Sequence, residues 1–283
     1  SNFDTFKTIL KNDGKIKALK INNAETYSRK VIDELTAWLK EQYSVKGLAW
    51  MKCLNEGSLE GGISKFFDQK LQVSIIDKLN INKGDMLFIV GDESKITLSA
   101  LGALRIKLAE KENLIDEELW KPIWVVDFPL FEWNNDNNRW NSLHHPFTSP
   151  NLEDIEMLEK DPGKVRSLGY DIVMNGYEIG GGSIRIFDSK LQSTVFELLG
   201  INKEEADEKF GFLLGAFKYG APPHGGIAFG FDRIIMLLAG SKQIRDVIAF
   251  PKTTSAMSLM DNSPSTADKQ QLDELGISIK NQS

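Results

Sequence analysis

The dipeptide Asn175-Gly176 constrains the fold of this 283-residue chain more than any other feature of its sequence. It separates two stretches rich in aliphatic and aromatic residues, 170–174 and 177–186. Both central residues of a two-residue type I′ turn need positive φ, which Asn and Gly tolerate, so the pattern predicts a β-hairpin. Two helical patterns follow, over 191–199 and 203–219. Since no βαβ repeat is present, the sequence predicts an α+β fold, an antiparallel sheet flanked by helices.

Composition excludes several classes of protein. Charged residues make up 26% and hydrophobic residues 41% of the chain, which is typical of globular domains. No apolar run approaches the ~20 residues that cross a membrane, and we expect no secretory leader. The single cysteine, Cys53, excludes a disulfide framework and suits a reducing compartment, and three histidines make a structural zinc site improbable. The net charge of −6 comes without a basic stripe that would indicate a nucleic-acid-binding module.

The amino-acid composition changes near residues 112–121, which predicts two domains, 1–118 and 119–283. The first 120 residues are balanced in charge, whereas the remainder carries the whole net charge. All six tryptophans precede residue 141, and all three histidines follow it. No internal repeat or low-complexity tract divides the chain further.

Hydrophobic periodicity predicts the elements of each domain. In the first, helices are expected over 26–43, 69–79 and 94–111, and strands over 47–54 and 86–90. In the second, further strands are expected over 123–128, 225–230 and 246–250, with a helix over 231–239. The first helix is expected to be capped by Asn22, Asn23 or Thr26. The third helix is expected to bury one face, formed by Leu98, Leu101, Leu104 and Leu108.

Three consecutive glycines, 180–182, stand inside the second strand of the hairpin, between Glu178 and Arg185. Glycine is costly in a strand, and there it usually marks a bulge or a ligand that lies against the backbone. Glu178 and Arg185 are seven residues apart, so on an unbroken strand their side chains point to opposite faces. If both serve one pocket, a bulge must fall at 180–182. The alternative is a bend in the strand with a salt bridge on its surface.

A second glycine-rich group, 225–230, leads into a predicted helix that begins with Phe231, Asp232 and Arg233. Glycines let a ligand approach the backbone, and free N–H groups at a helix N-terminus bind anions. A cation in the first turn opposes the helix dipole, so Arg233 is expected to be held by an anion such as a phosphate. The alternative is that Arg233 pairs with Asp232 or with Glu178.

The third group is the loop 143–150, which contains the adjacent residues His144 and His145. Neighbouring side chains diverge, so the two histidines are poorly placed to bind one metal ion, and they suit a loop that hydrogen-bonds an anionic ligand. Two prolines and several polar residues predict a shaped loop on the surface. The alternative is that both histidines are ordinary loop residues.

Together these segments resemble the bacterial-type aspartyl-tRNA synthetases, a family of class II enzymes. The resemblance rests on five motifs, at 124–131, 144–150, 175–185, 225–233 and 245–253. The fourth motif is similar to the third class II signature, a strand and helix that bind ATP. Residues 1–118 resemble the insertion domain of these enzymes, the GAD domain, which is shared with an amidotransferase subunit. Residues 119–283 resemble the C-terminal part of the catalytic domain, with a class II antiparallel sheet.

The resemblance implies a role for each matched residue. Arg185 and His144 would bind the substrate aspartate, with Arg185 on the side-chain carboxylate, which the planar guanidinium matches. Glu178 would face the phosphates of ATP through Mg²⁺, since a bare carboxylate repels phosphate. The other contacts to ATP would come from Gly230, Phe231, Asp232 and Arg233.

The activity that the resemblance implies is that of an aspartate–tRNA ligase. L-Aspartate would be activated with ATP to aspartyl-adenylate, and the aspartyl group would then pass to the 3′ end of tRNA. The complete enzyme would be a cytoplasmic homodimer that makes no contact with membrane. Whether it would charge only aspartate tRNA or asparagine tRNA as well depends largely on an anticodon-binding region, which this sequence lacks.

Two further parts of the family pattern are missing, namely the first and second class II signatures, so we expect the chain to be inactive alone. One alternative is a non-catalytic module that contacts tRNA or protein. The intact Glu178, Arg185 and Arg233 favour the enzyme over that module. Another alternative is a related enzyme for asparagine or lysine. Arg185 after three glycines, the paired histidines and the inserted domain favour aspartate.

Overall fold

The computed structural model describes residues 2–22, 24–55 and 57–280, and the chain divides into two compact units, Ser1–Glu118 and Leu119–Ser283. Each unit combines helices with antiparallel strands, so the predicted α+β class is confirmed. Among the helices of the described ranges, none is both long and apolar enough to cross a membrane.

The first unit is a three-stranded sheet with helices on both faces. Its elements are α1 (Asp4–Lys11), β1 (Lys15–Ile21), α2 (Arg29–Tyr43), β2 (Ala49–Lys52), α3 (Gln69–Leu79), β3 (Met86–Asp92) and α4 (Ser94–Lys111). The central strand is β3, whose Met86, Phe88 and Val90 pack against α2 and α4. Its Leu87 and Ile89 pack in a second cluster with α1 and α3. Burial on both faces explains the continuous apolar sequence of β3.

Two helices of this unit, α3 and α4, begin and end where the sequence predicts, but other expectations were wrong. The N-cap of α2 is Ser28, whose hydroxyl accepts the Val31 N–H at 3.4 Å, rather than Asn22 or Thr26. Asn23, the third cap expected, lies outside the described residues. On α4 the predicted buried face is confirmed at Leu104 and Leu108, but Leu98 is exposed, and Thr97 and Ala100 are buried. The periodicity did not predict α1 or β1.

The strands of the second unit are β4 (Pro122–Val125), β5 (Phe131–Asn134), β6 (Arg139–Ser142), β7 (Gly169–Met174), β8 (Tyr177–Ile184) and β9 (Gly225–Phe229). Four of them form an antiparallel sheet with the order β4-β7-β8-β9. Its helices are α5 (Met157–Lys160), α6 (Ser189–Leu198), α7 (Lys203–Phe217), α8 (Phe231–Leu238) and α9 (Lys269–Glu274). Side chains from β5, α5 and α6 pack in one buried cluster. The edge strands β4 and β9 are exposed along their whole length.

The predicted hairpin is confirmed, with β7 and β8 joined by Asn175 at φ 50° and Gly176 at φ 86°. Residues 246–250 do not form the predicted strand, because a 3₁₀ helix occupies Ile244–Val247. A second hairpin, β5–β6, was not predicted. Its Trp133 and Trp140 lie directly opposite each other with ring centroids 5.1 Å apart, a cross-strand aromatic pair of the kind that stabilises hairpins.

Candidate functional site

The structure requires glycine at the three positions of β8 for two different reasons. Gly180 and Gly182 face β9: a Cβ on Gly180 would lie 2.8 Å from the Phe229 ring, and a Cβ on Gly182 would overlap the carbonyl oxygen of Gly226. Gly181 faces the other way, where a Cβ would overlap the Asp171 carboxylate. Close strand packing therefore accounts for two of the glycines, and only Gly181 borders the surface that carries the charged residues.

A β-bulge lies in β8, but not where the sequence predicts it. Gly180 pairs with Ile172 and Glu178 pairs with Val173, so Ile179 is left without a partner on β7. The bulge thus falls just before the glycines rather than at 180–182. The extra residue reverses the alternation, since two residues on the bulged strand then oppose one on its neighbour. Glu178 consequently shares a face with Gly181, 3.7 Å from its Cβ position, and Arg185 follows on that face at the two-residue spacing.

The bulge joins the two glycine-rich groups through main-chain carbonyls. The Ile179 carbonyl accepts the Gly230 N–H at 2.9 Å, and the Glu178 carbonyl accepts from Arg233 Nη1 at 2.7 Å. Arg233 Nη1 also lies 3.8 Å from Glu178 Oε2. The two side chains therefore form the ion pair that was the alternative expectation for Arg233. Both side chains remain about half exposed, at 46% and 55%. An arginine in the first turn of α8 is therefore held by β8 and stays accessible to a ligand.

The exposed residues Phe231 and Asp232 occupy the same first turn of α8 as Arg233. An acidic side chain is favourable at a helix N-terminus, whereas Arg233 is compensated by the partners on β8. Phe231 is 72% exposed and presents an apolar ring beside these charges. The segment that the sequence assigns to ATP is thus bonded to Glu178 and open to solvent.

Asp171 belongs to this surface, although the sequence analysis missed it. It pairs with Gly181 across β7 and β8 and is the only acidic residue of β7. Burial and the nearby charge of Glu178 raise the pKa of Asp171, while His144 acts in the opposite direction. The hairpin register gave a signal, because counting back from Asn175-Gly176 brings Asp171 opposite the glycines. Two carboxylates therefore lie side by side at Gly181.

Arg185 lies where the histidine loop pairs with the end of β8 through an isolated β-bridge. The Ser149 N–H donates to the Ile184 carbonyl and the Ile186 N–H to the Phe147 carbonyl, both at 2.9 Å. Thr148 is directly opposite Arg185 in this pairing. Arg185 Nη1 is buried and has no hydrogen-bond partner among the described residues. Buried donors in proteins are nearly always paired, so this guanidinium is arranged for a group that the chain does not supply.

The two histidines of the loop have different surroundings. His144 lies edge-on to Phe128, with ring centroids 4.7 Å apart, and its Nδ1 lies 3.8 Å from the Cβ position of Gly169 on β7. His145 accepts the Phe147 N–H on Nδ1 at 3.2 Å. Partial burial and the positive charge of Arg185 lower the pKa of His145. His144 therefore lies beside β7, the strand that carries Asp171, whereas the His145 ring packs on Phe147 within the loop, with centroids 5.4 Å apart.

These groups form one charged face on β7, β8 and α8. Arg185 and His145 lie at one end, and Asp171, Glu178 and Arg233 at the other. Among the described residues no cluster of three or more His, Cys, Asp or Glu side chains could hold a metal ion. A pair of carboxylates nevertheless fits Mg²⁺, which is commonly bound by one or two carboxylates together with substrate phosphates and water. The face thus presents a guanidinium at one end and a pair of carboxylates at the other.

A family model described as tRNA synthetases class II (D, K and N) matches residues 6–254. The chain therefore belongs to the class II tRNA synthetases of this group. It is 50% identical over 279 residues to an aspartate–tRNA(Asp/Asn) ligase of Caldanaerobacter subterraneus subsp. tengcongensis, and 49% identical over 281 residues to an aspartate–tRNA ligase of Bacillus licheniformis. Each match covers 99% of this chain and 47% of the relative. The chain thus spans about half the length of the curated relatives it matches.

Solved structures give a weaker likeness. The aspartyl tRNA synthetase from Entamoeba histolytica aligns with 53% of this chain and 25% of its own, at 23% identity and a TM-score of 0.36. The asparaginyl-tRNA synthetase from Pyrococcus horikoshii aligns with 47% of this chain, at 22% identity and a TM-score of 0.35.

Proposed function

We propose that this chain is part of an aspartate–tRNA ligase, made up of its GAD insertion domain and the C-terminal part of its catalytic domain, and that the charged face binds aspartate and ATP. The observation that carries the proposal is the buried, unpaired Nη1 of Arg185, on the same face as Glu178 and Asp171. A planar guanidinium suits a carboxylate, and two carboxylates suit the magnesium salt of a nucleotide. Similarity to aspartate–tRNA ligases over nearly the whole chain supports the same assignment.

In this proposal each residue has a stated task. Arg185 binds the side-chain carboxylate of aspartate, and His144 lines the space between that site and the acidic pair. Glu178 and Asp171 would hold Mg²⁺, which supplies charge neutralisation at the phosphates of ATP. Arg233, fixed by the Glu178 carbonyl, contacts the nucleotide together with the first turn of α8, Gly230 to Asp232. The α-carboxylate of aspartate attacks the α-phosphorus of ATP, and pyrophosphate leaves.

In the second step the terminal ribose hydroxyl of tRNA attacks the activated carbonyl, and AMP leaves. No side chain of this face is required as a general acid or base, because catalysis would rest on positioning and on charge stabilisation. Aspartate is distinguished from asparagine because a carboxamide would turn an N–H donor toward the guanidinium. A site that leaves its own buried polar group unpaired rejects such an analogue by on the order of 10⁴-fold.

The first unit, 1–118, is in this proposal the GAD insertion domain, and the complete enzyme is a cytoplasmic homodimer. Several apolar side chains of the second unit are exposed in the chain by itself. They include Trp124 at 55%, Phe229 at 56% and Phe231 at 72%. In the full-length synthetase these side chains would be covered by the rest of the protein and by its ligands, since large apolar patches on a protein surface usually mark contacts.

The full-length synthetase is tested by aspartate-dependent exchange of pyrophosphate into ATP, with asparagine and lysine as competing amino acids. Exchange with aspartate alone is the expected result. Exchange that prefers asparagine or lysine would contradict the aspartate assignment. Absence of exchange with all three would favour an interaction module that contacts tRNA or protein.

The 283-residue chain by itself is expected to show no aspartate-dependent exchange, because about half the length of its relatives is absent from it. The measurement is the same assay at high protein concentration, with the full-length synthetase as the positive control. Exchange by the purified chain above the background of a heat-treated sample would contradict this prediction.

Asp171→Asn in the full-length synthetase is expected to raise the Mg²⁺ concentration for half-maximal exchange about tenfold or more. The substitution removes one of two negative groups while the amide keeps nearly the same shape. Asp136→Asn, in the exposed turn between β5 and β6, is the matched control and should leave the magnesium dependence unchanged. A normal magnesium titration for Asp171→Asn would remove Asp171 from the metal site.

A further inference from the structure

The histidine loop, residues 143–150, contacts the strand β8 on one side. Thr148 is directly opposite Arg185 in the β-bridge, and its hydroxyl donates to the Ser183 hydroxyl of β8 at 3.3 Å. Thr148 and Ser183 are both buried. The loop is thus joined, by side chain as well as main chain, to the strand end that carries the unpaired guanidinium.

The opposite side of the loop packs on the helices α6 and α7. The ring of Phe147 lies edge-on to Phe196 of α6 and to Phe210 of α7, with centroids 5.6 and 5.2 Å away. The amide of Gln192, on α6, donates through Nε2 to the Pro146 carbonyl at 2.9 Å. Gln192 and Phe196 are four residues apart on the helix, so they share a face. Two side chains of α6 therefore hold two adjacent residues of the loop.

Gln192 has a side chain that packing does not explain. It is fully buried, whereas the other buried residues of α6, Val195 and Phe196, are apolar. Its Oε1 is buried too and has no hydrogen-bond partner among the residues that the structure describes. A buried oxygen without a partner costs stability, so packing alone would favour an apolar side chain here. What the amide supplies, and an apolar side chain cannot, is its donor to Pro146.

The loop also places His144 on the charged face. His144 Nδ1 lies 3.8 Å from the Cβ position of Gly169 on β7. Gly169 precedes Asp171 by two residues, so the two positions face the same side of the sheet. Gly169 is also paired with Ser183, the residue to which Thr148 donates. The position of the imidazole on this face therefore depends on the path of the loop from 144 to 148.

We propose that Gln192 is a positioning residue for the amino-acid substrate, which acts by fixing the Pro146 carbonyl and with it the path of the loop that carries His144. The inference rests on the proposed aspartate site and adds a residue that is too deeply buried to touch the substrate. Pro146 lies midway between His144 and Thr148, so the loop is held at its centre by α6 and at its end by β8. Without the donor, the half-buried Pro146 carbonyl must turn toward water, and the loop turns with it.

Gln192→Met in the full-length synthetase tests this role, because methionine nearly keeps the size of the side chain but has no donor. In pyrophosphate exchange the KM for aspartate is expected to rise about 3- to 10-fold, the effect of losing one hydrogen bond between neutral groups. The KM for ATP should change less than about twofold, since main-chain bonds of Glu178 and Ile179 hold that end of the face.

Hydrogen exchange of the same variant, followed by mass spectrometry, reports the loop directly. In the unsubstituted chain the Thr148 N–H donates to the His145 carbonyl and the Ser149 N–H to the Ile184 carbonyl. The peptide 143–150 is expected to exchange about threefold faster or more in Gln192→Met. Exchange within α7, behind the loop, should stay unchanged.

Two further variants of α6 are the matched controls. Ser193→Ala removes an exposed hydroxyl that donates to the Ser189 carbonyl within the helix, and it should leave every measurement unchanged. Val195→Ala removes buried methyl groups from a cluster that contains no residue of the loop. It should lower the thermal midpoint of unfolding without changing the KM for aspartate or the exchange of 143–150.

Either a normal KM for aspartate or a normal exchange rate of the loop in Gln192→Met would overturn the inference. Equal effects of Gln192→Met and Val195→Ala on that KM would also overturn it, since they would come from a weakened helix. Gln192→Leu replaces Gln192→Met if the latter does not fold. Failure of both to fold would mean that the fold itself requires the amide, against the inference. An unsubstituted synthetase that does not activate aspartate would refute the proposed function, whereas the exchange of the loop is measured independently of activity.

Discussion

Arg185→Gln in the full-length synthetase is expected to lower kcat/KM for aspartate activation about 10³-fold or more. The substitution removes the charge that binds the carboxylate of the substrate, and it places an amide against an anion in a partly buried site. Arg185→Lys is expected to be nearly as impaired, because an ammonium group keeps the charge but loses the planar fork that matches a carboxylate. Aspartate-dependent pyrophosphate exchange measures both effects.

Specificity makes this prediction sharper. In Arg185→Gln the preference for aspartate over asparagine should collapse, since the repulsion of the carboxamide N–H₂ is removed together with the charge. Arg139→Gln, at the exposed first residue of β6, is the matched control for loss of an arginine and should retain full activity. An Arg185→Lys enzyme with nearly normal kinetics would show that charge alone suffices and that the buried Nη1 has another purpose.

Gly182→Ala is expected to destabilise the second unit by about 3 kcal/mol or more, the largest effect on stability among single-methyl additions at this site. The added Cβ would overlap the Gly226 carbonyl oxygen, which belongs to the backbone of β9 and cannot rotate away. Separating β8 from β9 would break the ladder that runs from Gly180 to Ile184. Overpacking of a well-packed site typically costs 1–3 kcal/mol even where side chains can adjust.

Gly226→Ala is the matched control, because a Cβ on Gly226 would have no heavy atom within 4 Å. Its effect should stay below about 1 kcal/mol. Hydrogen exchange of the amides in β7, β8 and β9, followed through a urea titration, reports the second unit separately from the first. Equal stability of the two variants would mean that β9 shifts to make room, and that the close approach of the strands is not required.

Local features of the fold could be predicted from the sequence because they depend on neighbouring residues. The Asn175-Gly176 turn specifies its own dihedral angles, and the limits of α3 and α4 follow from runs of helix-forming residues. Helical spacing placed Leu104 and Leu108 in the core correctly, but not Leu98. In the first turn of α4 the buried residue is Thr97, whose hydroxyl donates to main-chain carbonyls of the sheet. The 246–250 segment is rich in strand-forming residues, but within the described ranges no strand pairs with it.

The candidate site was predictable in its parts but not in its assembly. Glycine-rich segments and misplaced charges pointed to Glu178, Arg185 and Arg233 one by one. Their relation depends on a single unpaired residue, Ile179, whose side chain carries no sequence signal for a bulge. Asp171 was missed for the same reason, since only the strand register brings it opposite Gly181. The sequence predicted that the glycines mark a bulge or a bound ligand, whereas Gly180 and Gly182 make room for β9.

The bulge makes the length of β8 as important as its composition. Main-chain atoms of Glu178 and Ile179 hold Gly230 and Arg233, so point substitutions that keep the backbone in place can vary the side chain at 179 without moving that junction. Loss or gain of one residue there has the opposite effect, since it would turn Arg185 toward the reverse side of the sheet relative to Glu178. Insertions and deletions, more than exchanges of amino acid, are therefore the changes that natural variation must avoid between these two charges.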